Sequence, residues 1–268
     1  MATQAGDGAL RFARPRKGRV NRRPSRPAVL EPPTLRDLRL FASVDNETLS
    51  RLALEAKVES FEDGAAIFRQ GDLVSAIMMV LHGYVKVLRI ASSGDETLVC
   101  ISSDGETIGE PPFSTNETYR VSAEAIGPTS VLKFPASRFS RLMKESPSLC
   151  AAVVQDAKDK IAGLITEIET LKAQNADQRL ANFILSLCPP GQEQCRFRLP
   201  YDKRLIAAQL GVKQETLSRA FAKLREHGVR TETRDVLVES VSRLAGQCGQ
   251  LGRPPRLPSG SSDREDAA

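Results

Sequence analysis

The sequence predicts an α+β protein, because three different patterns follow one another along its 268 residues. Residues 35–147 contain short apolar runs separated by glycines, which is typical of strands and tight turns. Residues 148–175 repeat apolar positions at helical spacing, and residues 176–246 contain two short helices around a turn. We therefore expect a β barrel, a long helix and a small helical domain, in that order.

The composition favours a water-soluble chain with an anionic partner. Apolar residues make up 41% and charged residues 26% of the chain, and no apolar run approaches the ~20 residues of a membrane helix. We expect a cytoplasmic protein with no membrane partner. The net charge of +5 is mild, but the isoelectric point near 9.0 suits an anionic polymer as partner. Five cysteines, an odd number, without a secretory signal predict free thiols in a reducing cytosol.

The two ends of the chain are predicted to be disordered. Residues 1–34 include eight basic residues and no acidic residue between Arg11 and Arg26, so this arm cannot bury enough apolar surface to fold. It is either an arm that follows DNA phosphates or a plain extension, for instance from an upstream start codon. The tail over residues 247–268 is rich in proline, glycine and serine.

The barrel segment begins with a predicted helical lead-in over residues 35–57. Six apolar or alternating runs follow it, at residues 66–68, 77–81, 85–90, 97–101, 121–125 and 131–134. Glycines between these runs supply turn signals. Short strands with such turns predict a β barrel or a jelly roll.

Residues 204–228 parse as two short helices around a turn at Gly211. The apolar positions of the second helix share one face at steps of four and three, namely Leu217, Phe221 and Leu224. A second face carries Glu215, Ser218 and Arg219 at i, i+3 and i+4. This pattern is typical of a helix-turn-helix that presents a recognition helix to DNA. A helical hairpin with a solvated face is the alternative reading.

The stretch IAAQLGVKQETLSR over residues 206–219 resembles the helix-turn-helix signature of the Crp/Fnr superfamily of bacterial transcription regulators. The resemblance implies that the E-x-x-S-R residues read an inverted repeat of TTGAT-like half-sites. Glu215 would accept from a cytosine amino group, Arg219 would donate to guanine or a phosphate, and Ser218 would contact a base edge. Gln214 stands where the cyclic-AMP-receptor branch has arginine, which favours an Fnr-like half-site. The expected DNA-binding residues are Lys213, Gln214, Glu215, Thr216, Ser218 and Arg219.

The barrel segment resembles the cyclic-nucleotide-binding-like sensor of the same superfamily, through its spaced glycines and the pair Gly109-Glu110. The fold is then an N-terminal jelly roll, a long dimerisation helix and a C-terminal winged helix-turn-helix. The resemblance implies an effector site at Gly109, Glu110, Arg120 and Ser122. Two prolines directly after Glu110 remove backbone donors that would bind a phosphate, and Val121 separates Arg120 from Ser122. We therefore expect that cyclic AMP is not the effector and that Glu110 pairs with Arg120.

Two other sensor cofactors, an iron–sulfur cluster and haem, require particular protein ligands. An iron–sulfur cluster needs four thiolates, and the chain has no cysteine before Cys100, so this cofactor is not expected. Haem remains possible, with His82 as a remote candidate ligand and His227 at the end of the recognition helix. Residues 165–175 also resemble the denitrification-regulator branch, which implies a response to nitric oxide through haem. Cys100, in an apolar strand, is expected in the core.

Two cysteines and a short hairpin complete the C-terminal region. Cys188 and Cys195, separated by six residues, could form a disulfide or bind a metal, but the signal for a metal is weak because no paired histidine or second cysteine pair lies nearby. The following helix-turn-helix is expected to continue into a β wing over residues 229–240. Arg230 and Arg234 of this wing could contact phosphates. Asp177 is the expected N-cap of the helix that precedes Cys188.

Apolar residues over 148–175 form three uninterrupted heptads, which predict a parallel coiled-coil seam. The seam positions are Cys150, Val154, Ala157, Ile161, Leu164, Ile168 and Leu171. Cys150 is expected to pack as a small apolar residue, with a redox cross-link as the alternative. A dimer would place two recognition helices about one DNA turn, ~34 Å, apart.

The leading hypothesis is a homodimeric, sequence-specific transcription regulator whose barrel senses an effector. Double-stranded DNA, a second copy of the chain and RNA polymerase are the implied partners. We assign it as an activator, although the residues leave activation and repression open. The alternative is a cyclic-nucleotide-responsive module that acts on a protein partner. No pairing of nucleophile and base is visible, so an enzyme is not expected.

Overall fold

The computed structural model describes residues 35–109 and 117–248. The strands in this part of the chain are β1 (Lys57–Phe61), β2 (Ala66–Phe68), β3 (Ala76–Ile90), β4 (Glu96–Ser102), β5 (Thr107–Ile108), β6 (Ser122–Pro135), β7 (Cys195–Arg198), β8 (Val229–Glu232) and β9 (Asp235–Val238). The helices are α1 (Asn46–Glu55), α2 (Ala136–Glu145), α3 (Pro147–Ala173), α4 (Ala176–Leu187), α5 (Lys203–Gln209), α6 (Gln214–Leu224) and α7 (Val241–Ala245). The predicted α+β class is confirmed.

The barrel is one antiparallel sheet, in which β1, β6, β3 and β4 are neighbours in that order. β2 also pairs with β6, and β5 pairs with β3. The long strands β3 and β6 form its centre, and each spans two of the predicted short strands. Their register shifts on both sides of His82, where Gly83 adopts a φ of +95°. The strand therefore bends at this glycine instead of ending there, which is why two strands were wrongly predicted.

The predicted helical lead-in over residues 35–57 was too long. α1 ends at Glu55, and the chain continues as β1, which pairs with β6 from Lys57 to Phe61. The Lys133 ammonium lies 2.5 Å from the Glu59 carboxylate across this pair. Pairing with a central strand thus overrides the helical pattern at the end of the segment.

α3 is buried against the barrel through its first turns. Ser146 caps it, because its Oγ accepts from the Leu149 N–H at 3.3 Å. Leu149 and Val153 are buried in the core that α1, α2 and the barrel share. The Ser148 hydroxyl donates to the Asp45 carboxylate at 2.5 Å, and this bond is the main reason that the pKa of Asp45 lies well below its ordinary value. This contact stabilises the fold at neutral pH and weakens as acid protonates the carboxylate.

The C-terminal region contains a three-stranded antiparallel sheet in the order β7, β9, β8, packed with α4–α7. α4 is capped by Asn175 and not by Asp177, so this prediction was wrong. The Asn175 side chain accepts from the Gln178 N–H, and the Gln178 side chain accepts from the Asn175 N–H, which completes a capping box. Asp177 instead pairs with Lys223 of α6 at 2.7 Å.

The apolar core of the C-terminal region continues into the barrel. Tyr201 is 1% exposed, and its ring meets the Tyr84 ring of β3 edge to face, with centroids 5.6 Å apart. Ile101 of β4 is buried in the same core, and Leu98 packs against it. The barrel and the helical region are therefore joined by shared apolar packing as well as by α3.

Several predictions concern residues outside the described parts of the chain. They include the basic arm over 1–34, Glu110 with its two prolines, and all but the first two residues of the tail over 247–268. Within the described residues, no helix combines the length and the apolar character that crossing a bilayer requires.

The bend at Gly83 leads to the first testable prediction. A Cβ at Gly83 would lie 2.7 Å from the Pro128 carbonyl oxygen and 2.8 Å from Thr129 Oγ1, whereas a Cβ at Gly94, with a similar φ of +90°, would meet no atom within 4 Å. We expect Gly83→Ala to cost about 2–5 kcal/mol of unfolding free energy, from the left-handed backbone and the overlap together. Gly94→Ala should cost only about 1–2 kcal/mol. Equal losses in denaturant titrations of the two variants would contradict the overlap.

Candidate nucleic-acid interface

The recognition element is held in place by two local features of the sequence. Asp202 caps α5 by accepting from the Leu205 N–H at 2.8 Å. Gly211 follows α5 with a φ of +62°, and a Cβ there would lie 3.3 Å from Leu171 Cδ2 at the end of α3. α6 then begins at Gln214. Glycine thus permits both the tight turn and the close approach of α3.

α6 has one buried face and one exposed polar face. Leu217, Ala220, Phe221 and Leu224 are buried, as their spacing predicts. The expected DNA-binding residues lie together at the beginning of the helix, where Thr216 is half-buried and the others are exposed, namely Lys213, Gln214, Glu215, Ser218 and Arg219. Neither Glu215 nor Arg219 has an ion-pair partner among residues 35–109 and 117–248. These charged groups are therefore available to a ligand.

The wing arginines have partners within the chain. Arg230 Nε lies 2.6 Å from the Glu239 carboxylate, and Arg234 donates to the Leu199 carbonyl at 2.7 Å while half-buried. The third strand of this sheet, β7, was missed. It presents Arg196 and Arg198 on its exposed face with Phe197 turned inward. The alternation of Arg196, Phe197 and Arg198 is the signal that could have predicted it.

The predicted effector residues do not form one cluster in the described structure. Gly109 has a φ of +79°, and a Cβ there would lie 3.2 Å from the Tyr119 ring. That ring stacks on Phe68 with centroids 3.9 Å apart and donates from its hydroxyl to the Ala76 carbonyl at 3.0 Å. Aromatic packing therefore fills the barrel beside Gly109. Tyr119 is the residue that sequence reasoning missed here, because no motif marked it.

Arg120 and Ser122 differ in their exposure to solvent. Arg120 is exposed, whereas Ser122 is 5% exposed and its Oγ accepts from the Gln70 N–H at 2.9 Å. Glu110 lies outside the described residues. The structure thus brings Gly109 close to the ring of Tyr119 but commits the Ser122 hydroxyl to the barrel itself.

The candidate haem ligand His82 lies on the barrel surface. Its side chain is 61% exposed, and Nδ1 lies 3.7 Å from the Asp104 carboxylate. These surroundings are polar and open, and they do not fit the apolar pocket that a porphyrin requires. His227 is half-buried in the short 3₁₀ turn Arg225–His227 that ends the recognition element.

The cysteines correct two predictions. Cys188 and Cys195 form a disulfide, which is one of the two alternatives left open for this pair and departs from the general expectation of free thiols. Cys100, expected in the core, is half-buried because β4 lies at the edge of the sheet, and burial raises the pKa of its thiol. Among the described residues, no group of three or more histidine, cysteine or acidic side chains could bind a metal.

The predicted seam positions of α3 lie on an exposed face of the helix. Val154 is 62% exposed, Ile161 59% and Ile168 51%. The remaining seam positions are also exposed, namely Cys150, Ala157, Leu164 and Leu171. Ile165, next to Leu164, extends the same apolar surface. A continuous row of exposed aliphatic side chains on one helix is typical of an interaction site.

Comparisons with known proteins agree with this architecture. The profile of the cyclic nucleotide-binding domain matches residues 58–146, and that of the Crp-like helix-turn-helix domain matches residues 178–246. The transcriptional activator protein Anr of Pseudomonas aeruginosa is 30% identical over 194 residues, which cover 70% of this chain and 79% of Anr.

Two solved structures resemble the chain. A crystal structure from Ruegeria pomeroyi, of a protein assigned as cyclic nucleotide binding, is 35% identical with a TM-score of 0.61 and covers 80% of this chain and 94% of its own. FixK2 of Bradyrhizobium japonicum is 20% identical with a TM-score of 0.62, covers 72% of this chain and 96% of its own, and shows the fold alone.

The fold and the helix-turn-helix match define a DNA-binding regulator of transcription and not an enzyme. The chain belongs to the Crp/Fnr family, in which a cyclic-nucleotide-binding-like domain precedes a Crp-like helix-turn-helix.

The packing beside Gly109 predicts the response to cyclic AMP. Because Tyr119 stacks on Phe68 and Ser122 is bonded to Gln70, we expect no saturable binding of cyclic AMP by the full chain at millimolar ligand. Isothermal titration calorimetry checks this, with a cyclic-AMP-responsive regulator as positive control. Saturable heat with one site per chain would show that the aromatic pair moves aside for the nucleotide.

Proposed function

We propose that the chain binds an inverted repeat of TTGAT-like half-sites as a homodimer and activates transcription in response to an effector sensed by the barrel. The observation that carries this proposal is the exposed face of α6, where Glu215, Ser218 and Arg219 lie together above a buried apolar face. A helix with this division inserts into a major groove while its apolar face stays anchored in the domain.

Each residue of this face has a role that its chemistry allows. The Glu215 carboxylate accepts from a cytosine amino group, and the Arg219 guanidinium donates two bonds to guanine. Ser218, one turn after Glu215, contacts a neighbouring base edge. Lys213 and Gln214 at the beginning of α6 contact the DNA backbone, because a helix N-terminus also favours a phosphate group. Thr216 is half-buried and supports the backbone contacts.

The exposed aliphatic row of α3 supports the dimer. In an isolated chain it would leave Ile161, Leu164 and Ile168 more than half exposed to water, and a parallel partner helix would cover them. The twofold symmetry of such a dimer matches the symmetry of an inverted repeat.

Contacts between β5 and α3 support a route from the barrel to the dimer. The Thr107 hydroxyl donates to the Asp156 carboxylate at 2.9 Å, and Lys160 donates to the Thr107 carbonyl at 3.2 Å. Thr107 lies two residues before Gly109. A shift of the chain caused by an effector near Gly109 would therefore reach α3 through these bonds of Thr107. Two positions of α3 would then differ in how well both recognition helices fit their half-sites.

Activation and RNA polymerase as partner are proposed from the relatives. Anr is described as a transcriptional activator, and the similarity to it covers 70% of this chain. Operator binding would place the protein in the cytoplasm, where bacterial DNA lies. No effector is assigned, since the surroundings of His82 do not fit haem and those of Gly109 are packed.

The role of Arg219 gives a test of base reading. We expect Arg219→Ala to cost about 1–3 kcal/mol on an inverted TTGAT repeat and little on a scrambled duplex, because the bidentate bond to guanine is lost. Arg219→Lys, which keeps the charge but not the fork geometry, should lose most of the same discrimination. Fluorescence anisotropy with both duplexes measures the ratio. Equal weakening on both duplexes would make Arg219 a phosphate contact.

The role of α3 gives a test of the dimer. We expect Ile161→Glu to raise the dimer dissociation constant about 100-fold or more, because each copy would carry a charge into the apolar seam. Ala162→Glu is the matched control, since Ala162 is the next residue, is exposed and lies outside the seam. Sedimentation velocity measures both. A dimer that survives Ile161→Glu as well as Ala162→Glu would place the interface elsewhere.

A further inference from the structure

The disulfide between Cys188 and Cys195 joins the end of α4 to the start of β7 in the DNA-binding region. Cys188 is the C-cap of α4, and Cys195 is the first residue of β7. Both are buried, at 2% and 4% exposure, while the six residues between them are all exposed. The bond thus closes a short surface loop at its base.

The bond also closes a ring of contacts that contains the recognition helix. Cys195 lies opposite Val238 of β9, and Val238 lies opposite Val229 of β8. Val229 directly follows Gly228, which ends the recognition element. α6 packs back against α4, where Lys223 pairs with Asp177. From α4 the ring returns through the disulfide to β7.

Without the bond, the start of β7 loses the cross-link that fixes it to the end of α4, and only the loop of six residues joins the two. β7 is an edge strand that pairs with β9 on one side only. The loop between the two cysteines stays attached to the start of α7 through Glu193. The Glu193 carboxylate accepts from the Ser240 hydroxyl at 2.6 Å, and the Glu193 backbone carbonyl accepts from the Val241 N–H at 2.7 Å. Opening the bond should therefore loosen the sheet locally and leave the domain folded.

We propose that Cys188 and Cys195 form a redox-sensitive modification site, whose disulfide form orders the wing and strengthens DNA binding. The inference rests on the proposed function, because a DNA-binding regulator works in a reducing compartment. Disulfides there are usually transient or redox-sensing. A wing that is ordered before binding costs less to order on DNA.

The chemistry is thiol–disulfide exchange with a low-molecular-weight disulfide such as oxidised glutathione. One cysteine thiolate attacks a sulfur of the reagent, which forms a mixed disulfide and releases one glutathione thiolate. The second cysteine thiolate attacks the protein sulfur of that mixed disulfide and releases the second glutathione. The protein dithiol loses two electrons and two protons, and the reagent becomes two thiols. The reverse exchange with reduced glutathione opens the bond.

The test uses the full chain equilibrated in glutathione buffers of graded redox ratio. Alkylation of free thiols with mass spectrometry measures the fraction of the Cys188–Cys195 bond, and amide hydrogen exchange measures the order of residues 195–198 and 229–238. Anisotropy with the inverted TTGAT repeat measures DNA affinity in the same samples. We expect the reduced chain to exchange faster in these strands and to bind about tenfold more weakly, as loss of preorganisation implies.

Two variants separate this site from the other cysteines. Cys188→Ser/Cys195→Ser should behave like the reduced chain at every redox ratio. Cys100→Ser/Cys150→Ser/Cys248→Ser should respond like the natural chain, and if it folds poorly, Cys150→Ser alone removes the one exposed free thiol among the described residues.

Three results would overturn the inference. They are a bond that stays closed, or stays open, at every glutathione ratio; strands whose exchange does not depend on the bond; or equal affinity of both forms for a duplex that they bind. If neither form binds any duplex specifically, the proposed function fails, and hydrogen exchange still decides whether the bond orders the wing.

Discussion

The architecture depends on the division of α3 into a buried part and an exposed part. Its first turns are buried under the barrel through Leu149 and Val153, whereas Ile161, Leu164 and Ile168 farther along remain exposed. The far end of this 27-residue helix approaches the turn at Gly211 through Leu171, so α3 connects the barrel with the helix-turn-helix. The contacts of Thr107 with Asp156 and Lys160 lie at the transition between these two regions. In the proposed route, the barrel would act on α3 at the point where the buried packing of the helix ends.

The DNA-binding face shows a second division of labour. The apolar side of α6 is fixed by the core, and its charged side lacks partners among the described residues, while the wing arginines are paired. Charged side chains that a rigid helix presents without partners would lose little conformational entropy on binding DNA bases. The wing has the opposite character, since Arg230 and Arg234 already have partners and β9 pairs with β7, which the disulfide links to α4. In the proposed complex with DNA, base reading and domain rigidity would reside in different residues.

Periodic patterns were predictable from sequence, and contacts between distant segments were not. Leu217, Phe221 and Leu224 identified the buried face of α6 because helical spacing is local information. Two strands were predicted where Gly83 only bends β3, since a glycine marks a turn and a bulge alike. The stacking of Tyr119 on Phe68, the capping by Asn175 and the pairing of Asp177 with Lys223 depend on tertiary geometry. For the same reason Cys188 and Cys195 left disulfide and metal both open.

The ring contact between Tyr84 and Tyr201 has a consequence for how the two halves can move. Tyr201 is almost fully buried beneath the barrel, and Ile101 belongs to the same core as the helices. A gradual rotation of the barrel against the helical region would expose these side chains to water. The free-energy cost would rise with the apolar area uncovered. Packed interfaces of this kind favour discrete arrangements over continuous ones. We therefore expect the barrel and the helical region to move between distinct packed positions and not through a continuous range.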